Sequence, residues 1–460
     1  MWPLIQWYIH YILFKTLSMQ KLGSILLVSL FLMTGTLVKS QTIQFEKYTL
    51  PNGLKIILHE DHSAPVVAVT ALYHVGSKNE DTARTGFAHF FEHLLFEGTD
   101  NIKRGEFDKY VTNAGGALNA NTSQDRTFYY ELLPSNQVDL GLWLESERMM
   151  HAKIEQIGVN TQREVVKEEK RQSMDNRPYG SFLTEMLKRA YKVHPYQWSP
   201  IGSMDHLNAA KLEEFIQFYK TYYVPNNCVL SIAGDINIPE LKKKIESYFG
   251  PIAKGTLPMN RPSIKEPPLG GEVRDNIYDN IQLPAIFHAY RAPKQGGDEY
   301  YAFNVLSTIL SGGASSRMNK TLVDNKQLAV AAQSVPFFNE DDGLFIALTI
   351  ANMGVKVETL EASMDSVVNE LKLGLVGERE FQKVKNQITT SLVDSKATMA
   401  GIAESLANNE VYFGDANLIN TELEKYNKVT REDVLKVAKK YLNKDNRVAL
   451  HYLPKEKTTK

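Results

Sequence analysis

Two stretches of this chain run through the same succession of hydrophobic and polar positions. Residues 213–230 and 432–449 each read as an amphipathic helix, a turn and an apolar closing strand. Tyr222 falls against Tyr441, and Asn226-Asn227 against Asp445-Asn446. Upstream, Phe87–Gly98 can be laid on Tyr301–Gly312, and both predict a helix. Between the two runs, residues 251–271 are rich in Pro and Gly and lack a periodic apolar pattern, so they predict a linker. In the first half, Arg104–Val111 looks helical, Asn113–Gly116 is a turn, and Thr127–Leu133 predicts a strand rich in aromatics. Two similar halves that mix helices and strands predict an α+β fold, with strands in one layer and helices in the other.

The N-terminal pattern differs. Lys21 precedes the apolar run Leu22–Val38, and small residues at Val38 and Ser40 place a signal-peptide cleavage before Gln41. Met19 is then the natural start. An uncleaved membrane anchor is the alternative, because residues 1–38 are apolar and aromatic throughout. The expected product is exported, and periplasmic if the source is a Gram-negative bacterium. The remaining length suffices for two or three domains with sizeable cores: the chain has 460 residues, 43% hydrophobic and 23% charged. A net charge of −1 argues against nucleic acid or an anionic membrane surface as the main partner. The single cysteine, Cys228, permits no internal disulfide and sits in an apolar strand pattern, where it reads as a small buried hydrophobe.

Candidate chemistry concentrates in His89-Phe90-Phe91-Glu92-His93. On a helix the two histidines, four positions apart, share one face and can reach one metal ion. Glu92 stands beside that face, within reach of a water on the same metal. Two imidazoles and one further ligand suit a catalytic zinc, which keeps a coordination position open. The order H-x-x-E-H is that of the inverted zinc peptidases. The charged stretch Thr161–Arg171 predicts a helix and offers Glu164, Glu168 and Glu169 as a third ligand, although such runs are usually solvated faces. The isolated histidines His59, His62, His74, His194 and His206 read as structural.

These motifs resemble the pitrilysin/insulinase family of inverted-motif zinc metallopeptidases, in the short two-domain form of the mitochondrial processing peptidase subunits. The resemblance covers residues 44–453. It implies that Gln162–Glu169 carries the third ligand at Glu169, with Glu168 as the fallback. Gln162 then takes the place of a glutamate that in the family stands behind the ligands. The segment Leu118–Ser123 implies an edge strand that pairs with the substrate backbone, with Asn119, Ala120 and Asn121 as the contacts. The run from His194 to Asp235 also follows the family's order of loop, helix, turn and strand. The implied architecture is two homologous α/β sandwich domains, each an antiparallel sheet with helices on one side, together half of a clam-shell chamber. The boundaries are a signal peptide over 1–40, a zinc-binding catalytic domain over 41–250, the linker over 251–271, and a second domain over 272–460. There Phe303, Leu306 and Ser307 replace the metal motif.

The implied activity is zinc-dependent endopeptidase action on peptides or unfolded segments, with one Zn2+ per chain and Glu92 as general base. One departure qualifies it. The family carries an Arg and a Tyr in a second-half segment matching Leu322–Val330; here those positions are Val323 and Val330, and Arg317 is out of register. The expectation is a heterodimer with a related chain that supplies both, with a homodimer as the alternative. A non-catalytic peptide-binding or structural subunit is the rival class.

Overall fold

The computed structural model describes residues 42–455, so the expected signal peptide lies outside the described residues. Residues 44–455 fall in one compact unit. It holds two sheets. The first has the order β1-β2-β6-β3-β5-β4, from β1 (Glu46–Thr49), β2 (Lys55–Glu60), β3 (Val66–Tyr73), β4 (Ala117–Thr122), β5 (Thr127–Pro134) and β6 (Cys228–Gly234). The second has the order β7-β11-β8-β10-β9, from β7 (Val273–Asp279), β8 (Ala285–Ala292), β9 (Ala329–Phe337), β10 (Gly343–Ala351) and β11 (Arg447–Pro454). The two orders coincide once β1 is set aside, which gives the repeat seen in the sequence a topological meaning.

Both sheets are antiparallel apart from one pair. In each half the last strand returns after the helices and inserts inside the sheet, β6 between β2 and β3 and β11 between β7 and β8. β6 runs antiparallel to β3 and parallel to β2, and β11 does the same between β8 and β7. A strand buried on both faces should be nearly continuously apolar, and β3 is so apart from Thr70, whose hydroxyl donates to the Ser231 carbonyl oxygen at 2.8 Å. Val67, Val69, Ala71 and Tyr73 enter one core, while Ala68, Thr70 and Leu72 are buried on the other face.

The helices that build the site are α1 (Phe87–Leu94), α2 (Val138–Met150), α3 (Gln156–Lys170), α4 (Phe182–Ala190) and α5 (Leu212–Tyr222). Those of the second half include α6 (Asp298–Ser311), α7 (Met399–Phe413) and α8 (Arg431–Tyr441). Phe87 and Phe91 of α1 stack with Phe215 and Phe218 of α5, and Phe90 packs tilted against Phe215.

The halves exchange helices. α7, from the second half, packs across β3 and β6 of the first sheet. Its Glu410 lies 2.9 Å from Lys47 and 2.9 Å from Lys55. Small residues on the covered face (Ala68, Thr70, Ser231, Ala233) and on the helix (Ala403, Ala407) are all buried, and small side chains allow close approach. Reciprocally, α4 of the first half packs on β8 and β11, and its Met186, Leu187 and Ala190 share a core with Phe287, Leu344 and Val448. Each sheet therefore lies between helices of its own half and one helix of the other.

Residues 250–272 contain no helix or strand. They are nonetheless tied down: Glu266 accepts from the backbone N–H groups of Lys192 (2.8 Å), Val193 (3.0 Å) and His194 (2.8 Å). Cys228 is buried at the start of β6, and burial pushes its thiol well above the ordinary value, which suits a packing role.

Candidate metal centre

α1 carries three of the site residues and begins at Gly86, whose φ of 97° is left-handed and suits glycine. A Cβ there would stand 2.8 Å from the carbonyl oxygen of Ile201, so the 199–203 loop can lie against the helix start. Gly86 has no side chain to cap the helix. The buried carboxylate of Glu80 does so instead. It accepts from Gly86 N–H (2.9 Å), Ala88 N–H (2.8 Å) and the Trp198 indole N–H (3.1 Å).

His89 and His93 project from one face of α1, with their Nε2 atoms 3.3 Å apart. Glu169, in the last turn of α3, brings Oε2 to 3.5 Å from His89 Nε2 and 3.2 Å from His93 Nε2. Hydrogen bonding to His89, then to His93, outweighs partial burial and holds the Glu169 carboxyl far below the usual carboxylate range. The three donor atoms form a triangle with edges of 3.2–3.5 Å. With bonds of about 2.0–2.1 Å, ligand atoms around a tetrahedral zinc stand about 3.3–3.4 Å apart. The donor set therefore fits zinc in type and in spacing. Among the described residues, this is the group of His, Cys, Asp or Glu able to hold a metal ion. α3 is followed at once by a π-helical turn, Arg171–Asp175, a feature frequent at functional sites.

The other predicted residues fall as follows. Glu168 turns away to Arg171 (2.8 Å) and Gln172 (3.0 Å), and Glu164 pairs with Lys167 (2.8 Å), so Glu169 alone of the three faces the histidines. Glu92 accepts a hydrogen bond from Thr122 Oγ1 at 2.6 Å. Gln162 donates to Glu97, which also holds Arg104, and it bonds to neither histidine; His89 Nδ1 is buried without a partner. Asn119, Ala120 and Asn121 lie on β4, the outer strand of its sheet, with Asn119 and Asn121 exposed and Ala120 partly buried. The isolated histidines have other partners: His59 meets the Gln44 carbonyl oxygen, His62 Asp235, His74 Glu340, His194 Asp341 and His206 Thr85.

Residues 55–201 match the family described as Insulinase (Peptidase family M16), and residues 209–388 match Peptidase M16 inactive domain. The zinc protease PqqE of Helicobacter pylori is 33% identical over 401 residues, covering 85% of this chain and 89% of that one. The chain belongs to the M16 peptidases. A protease from Helicobacter pylori superposes with a TM-score of 0.86 at 29% identity, covering 90% of this chain and 100% of that one. A probable mitochondrial-processing peptidase subunit beta from Arabidopsis thaliana is 24% identical, over 86% of this chain and 75% of that one.

The second half of this M16 chain keeps the scaffold and fills the metal position. Phe303 and Leu306 are fully buried, and Ser307 bonds to Ser334 on β9 at 3.2 Å. Val330 is half exposed on β9, Val323 is partly buried in a π-helical turn, and Arg317 pairs with Glu380 at 2.7 Å. Sequence reasoning missed Glu80, which has no motif of its own. Thr122 lies in the run Leu118–Ser123, where nothing in the sequence marks its bond to Glu92.

Proposed function

We propose that this chain is a zinc-dependent endopeptidase acting on peptides or unfolded polypeptide segments. The observation that carries the reading is the triangle of His89, His93 and Glu169 donors beside a carboxylate, Glu92, that is not itself a donor. A zinc ion held there supplies Lewis acidity and an acidified water. Glu92 is oriented through one oxygen by Thr122. Its other oxygen is left to accept the water proton, which it passes to the leaving amine. β4 presents an unpaired backbone edge beside α1, along which an extended peptide can add as a strand through Asn119–Asn121. Gln162 would act only at a distance, through Glu97.

Val323 and Val330 leave the chain without the Arg and Tyr of the family pattern. We therefore assign it to one half of a dimeric chamber, with a related chain supplying both, or with a second copy in a homodimer. The apolar segment 22–38 supports export, to be checked by mass of the mature N-terminus. A structural or peptide-binding subunit is the second reading, and the missing pair favours it, but the intact donor set favours turnover.

The test is cleavage of an unstructured quenched-fluorescence peptide, with and without chelator, by wild type, Glu92→Gln and Glu169→Gln. Glu92→Gln should lose roughly 10²–10⁴-fold in turnover while its zinc content stays at one per chain. Glu169→Gln should lose the metal. Near-normal turnover in Glu92→Gln would remove the general base from this account.

A further inference from the structure

A cavity of about 530 Å³ opens beside the donor set, with His89 and Glu169 in its lining. Thr122, the donor to Glu92, also lines it. Most of the remaining lining is apolar and comes from both halves. Tyr179, Phe182 and Leu183 belong to the first half, and Phe287, Leu348 and Ile350 to β8 and β10 of the second. The one cationic side chain of the lining other than the histidine is Arg177. Its neighbours along the chain are committed: Arg171 to Glu168, and Arg189 to Glu185 and Asp275. Arg177 is exposed, and among the described residues its guanidinium makes no ion pair or hydrogen bond.

The backbone that carries Arg177 is held firmly. Tyr179 sits at φ 60°, a left-handed conformation that costs energy for an aromatic residue and persists only when its surroundings impose it. Here its N–H donates to Asp279 at 3.0 Å and its hydroxyl to the Leu283 carbonyl at 2.7 Å, both in the second half. The Gly180 N–H closes the turn onto the Arg177 carbonyl at 2.9 Å. A Cβ on Gly180 would stand 2.2 Å from the Met174 carbonyl oxygen, so the loop folds flat against the π-helical turn that follows Glu169. A strained, clamped loop thus presents a free cation to an apolar cavity that shares its lining with the metal ligands. Such placement suits a fork that receives a carboxylate.

Resting on the peptidase reading above, we infer that this cavity is a specificity subsite for substrate adjoining the scissile bond. It takes a bulky apolar side chain, and Arg177 takes a carboxylate next to it. The carboxylate is either an acidic side chain or the peptide's own C-terminus.

The experiment uses unstructured peptides with one bulky apolar residue, varied beside it as Glu, Gln or Lys with an amidated C-terminus. A fourth peptide carries Gln and a free C-terminus close to the apolar residue. kcat/KM is measured on the zinc-loaded wild type, and binding is measured separately on zinc-loaded Glu92→Gln. The Glu peptide should exceed its Gln twin by about tenfold; the same gain in the free-C-terminus peptide alone would identify the terminal carboxylate as the ligand. Arg177→Glu should invert the order of Glu and Lys peptides, and Arg177→Lys should keep part of the acidic preference. Equal treatment of all four peptides, or a preference unchanged in Arg177→Glu, overturns the subsite. Acid-selective binding to Glu92→Gln with no turnover of any peptide by wild type, alone or together with the related chain proposed above, keeps the subsite and removes the peptidase reading instead.

Discussion

Glu80 fixes the start of the helix on which His89, Glu92 and His93 stand, and it does so from outside that helix. Its two oxygens meet donors from Gly86, Ala88 and Trp198 in a buried setting. Glu80→Ala would leave the Gly86 and Ala88 N–H groups without an acceptor, while the Trp198 indole keeps the Ser77 carbonyl oxygen at 3.0 Å; an orphaned donor costs about 1–3 kcal/mol in such a place. The expected outcome is a lower melting temperature together with weaker zinc retention in a chelator competition, because the first turn of α1 loses its anchor. A variant that melts lower yet holds zinc as wild type does would show that α1 is set by its aromatic packing on α5 alone. His89, Glu92 and His93 were legible in the sequence because four-residue spacing on a helix is a geometric statement, whereas Glu169 stood out from Glu164 and Glu168 only through the family resemblance. Glu80 was not: its role depends on a loop folding back onto a helix end, and no periodicity encodes that. Gln162 was legible as a position on the ligand face, but its actual bond to Glu97 depends on a side chain from a different segment.

At the level of elements, the hydrophobic pattern foretold the helices within 87–98 and 301–312, the strand over 127–133, and the matching helix–turn–strand runs 213–230 and 432–449. It could not foretell what covers each sheet. An amphipathic face says that a helix is buried, and says nothing about the partner. α7 belongs to the second half by its place in the chain, yet its small side chains pack on the first sheet. That contact has little room. Ala407→Leu adds volume to a fully buried position and should destabilise by about 1–3 kcal/mol, read as a drop in the denaturant midpoint with unchanged slope. Val393→Leu, at an exposed position near the end of the preceding helix (Glu378–Asp394), should leave the midpoint where it is. Equal effects at both positions would mean that α7 is not closely packed. The parallel pair in each sheet was likewise hidden, since a central strand and an edge strand of equal hydrophobicity look alike until the order of insertion is known.

Across the whole molecule, a charged network ties the halves together. Lys78, buried in the first half, lies 3.0 Å from Asp125 and 3.3 Å from Asp341 of the second, and pairs as well with Glu340. His74 adds a contact to Glu340 at 3.1 Å. Burial alone would raise the Glu340 carboxyl, but hydrogen bonds and charge from His74 and Lys78 prevail and hold it at about 2, below its ordinary 4.5. A carboxyl depressed on folding stabilises the native state above its unfolded value and loses that contribution as pH falls through the folded one. Acid should therefore weaken the molecule between about pH 4.5 and 2, by roughly 2–3 kcal/mol from this group. Glu340→Gln should be less stable than wild type at neutral pH, and the two should converge near pH 2, as followed by denaturant titration across that range. A gap between them that stays constant with pH would assign the loss to packing.

The reciprocal placement of α4 and α7 has a consequence for the ancestry and handling of the chain. Two copies of one sheet-and-helix unit that lend each other a helix are the geometry of a swapped pair, here written into a single polypeptide. Severing residues 250–272 would not release two free-standing modules. Each fragment would carry a helix that belongs over its counterpart and a sheet stripped on one side, so the pieces would have to find each other again to become whole.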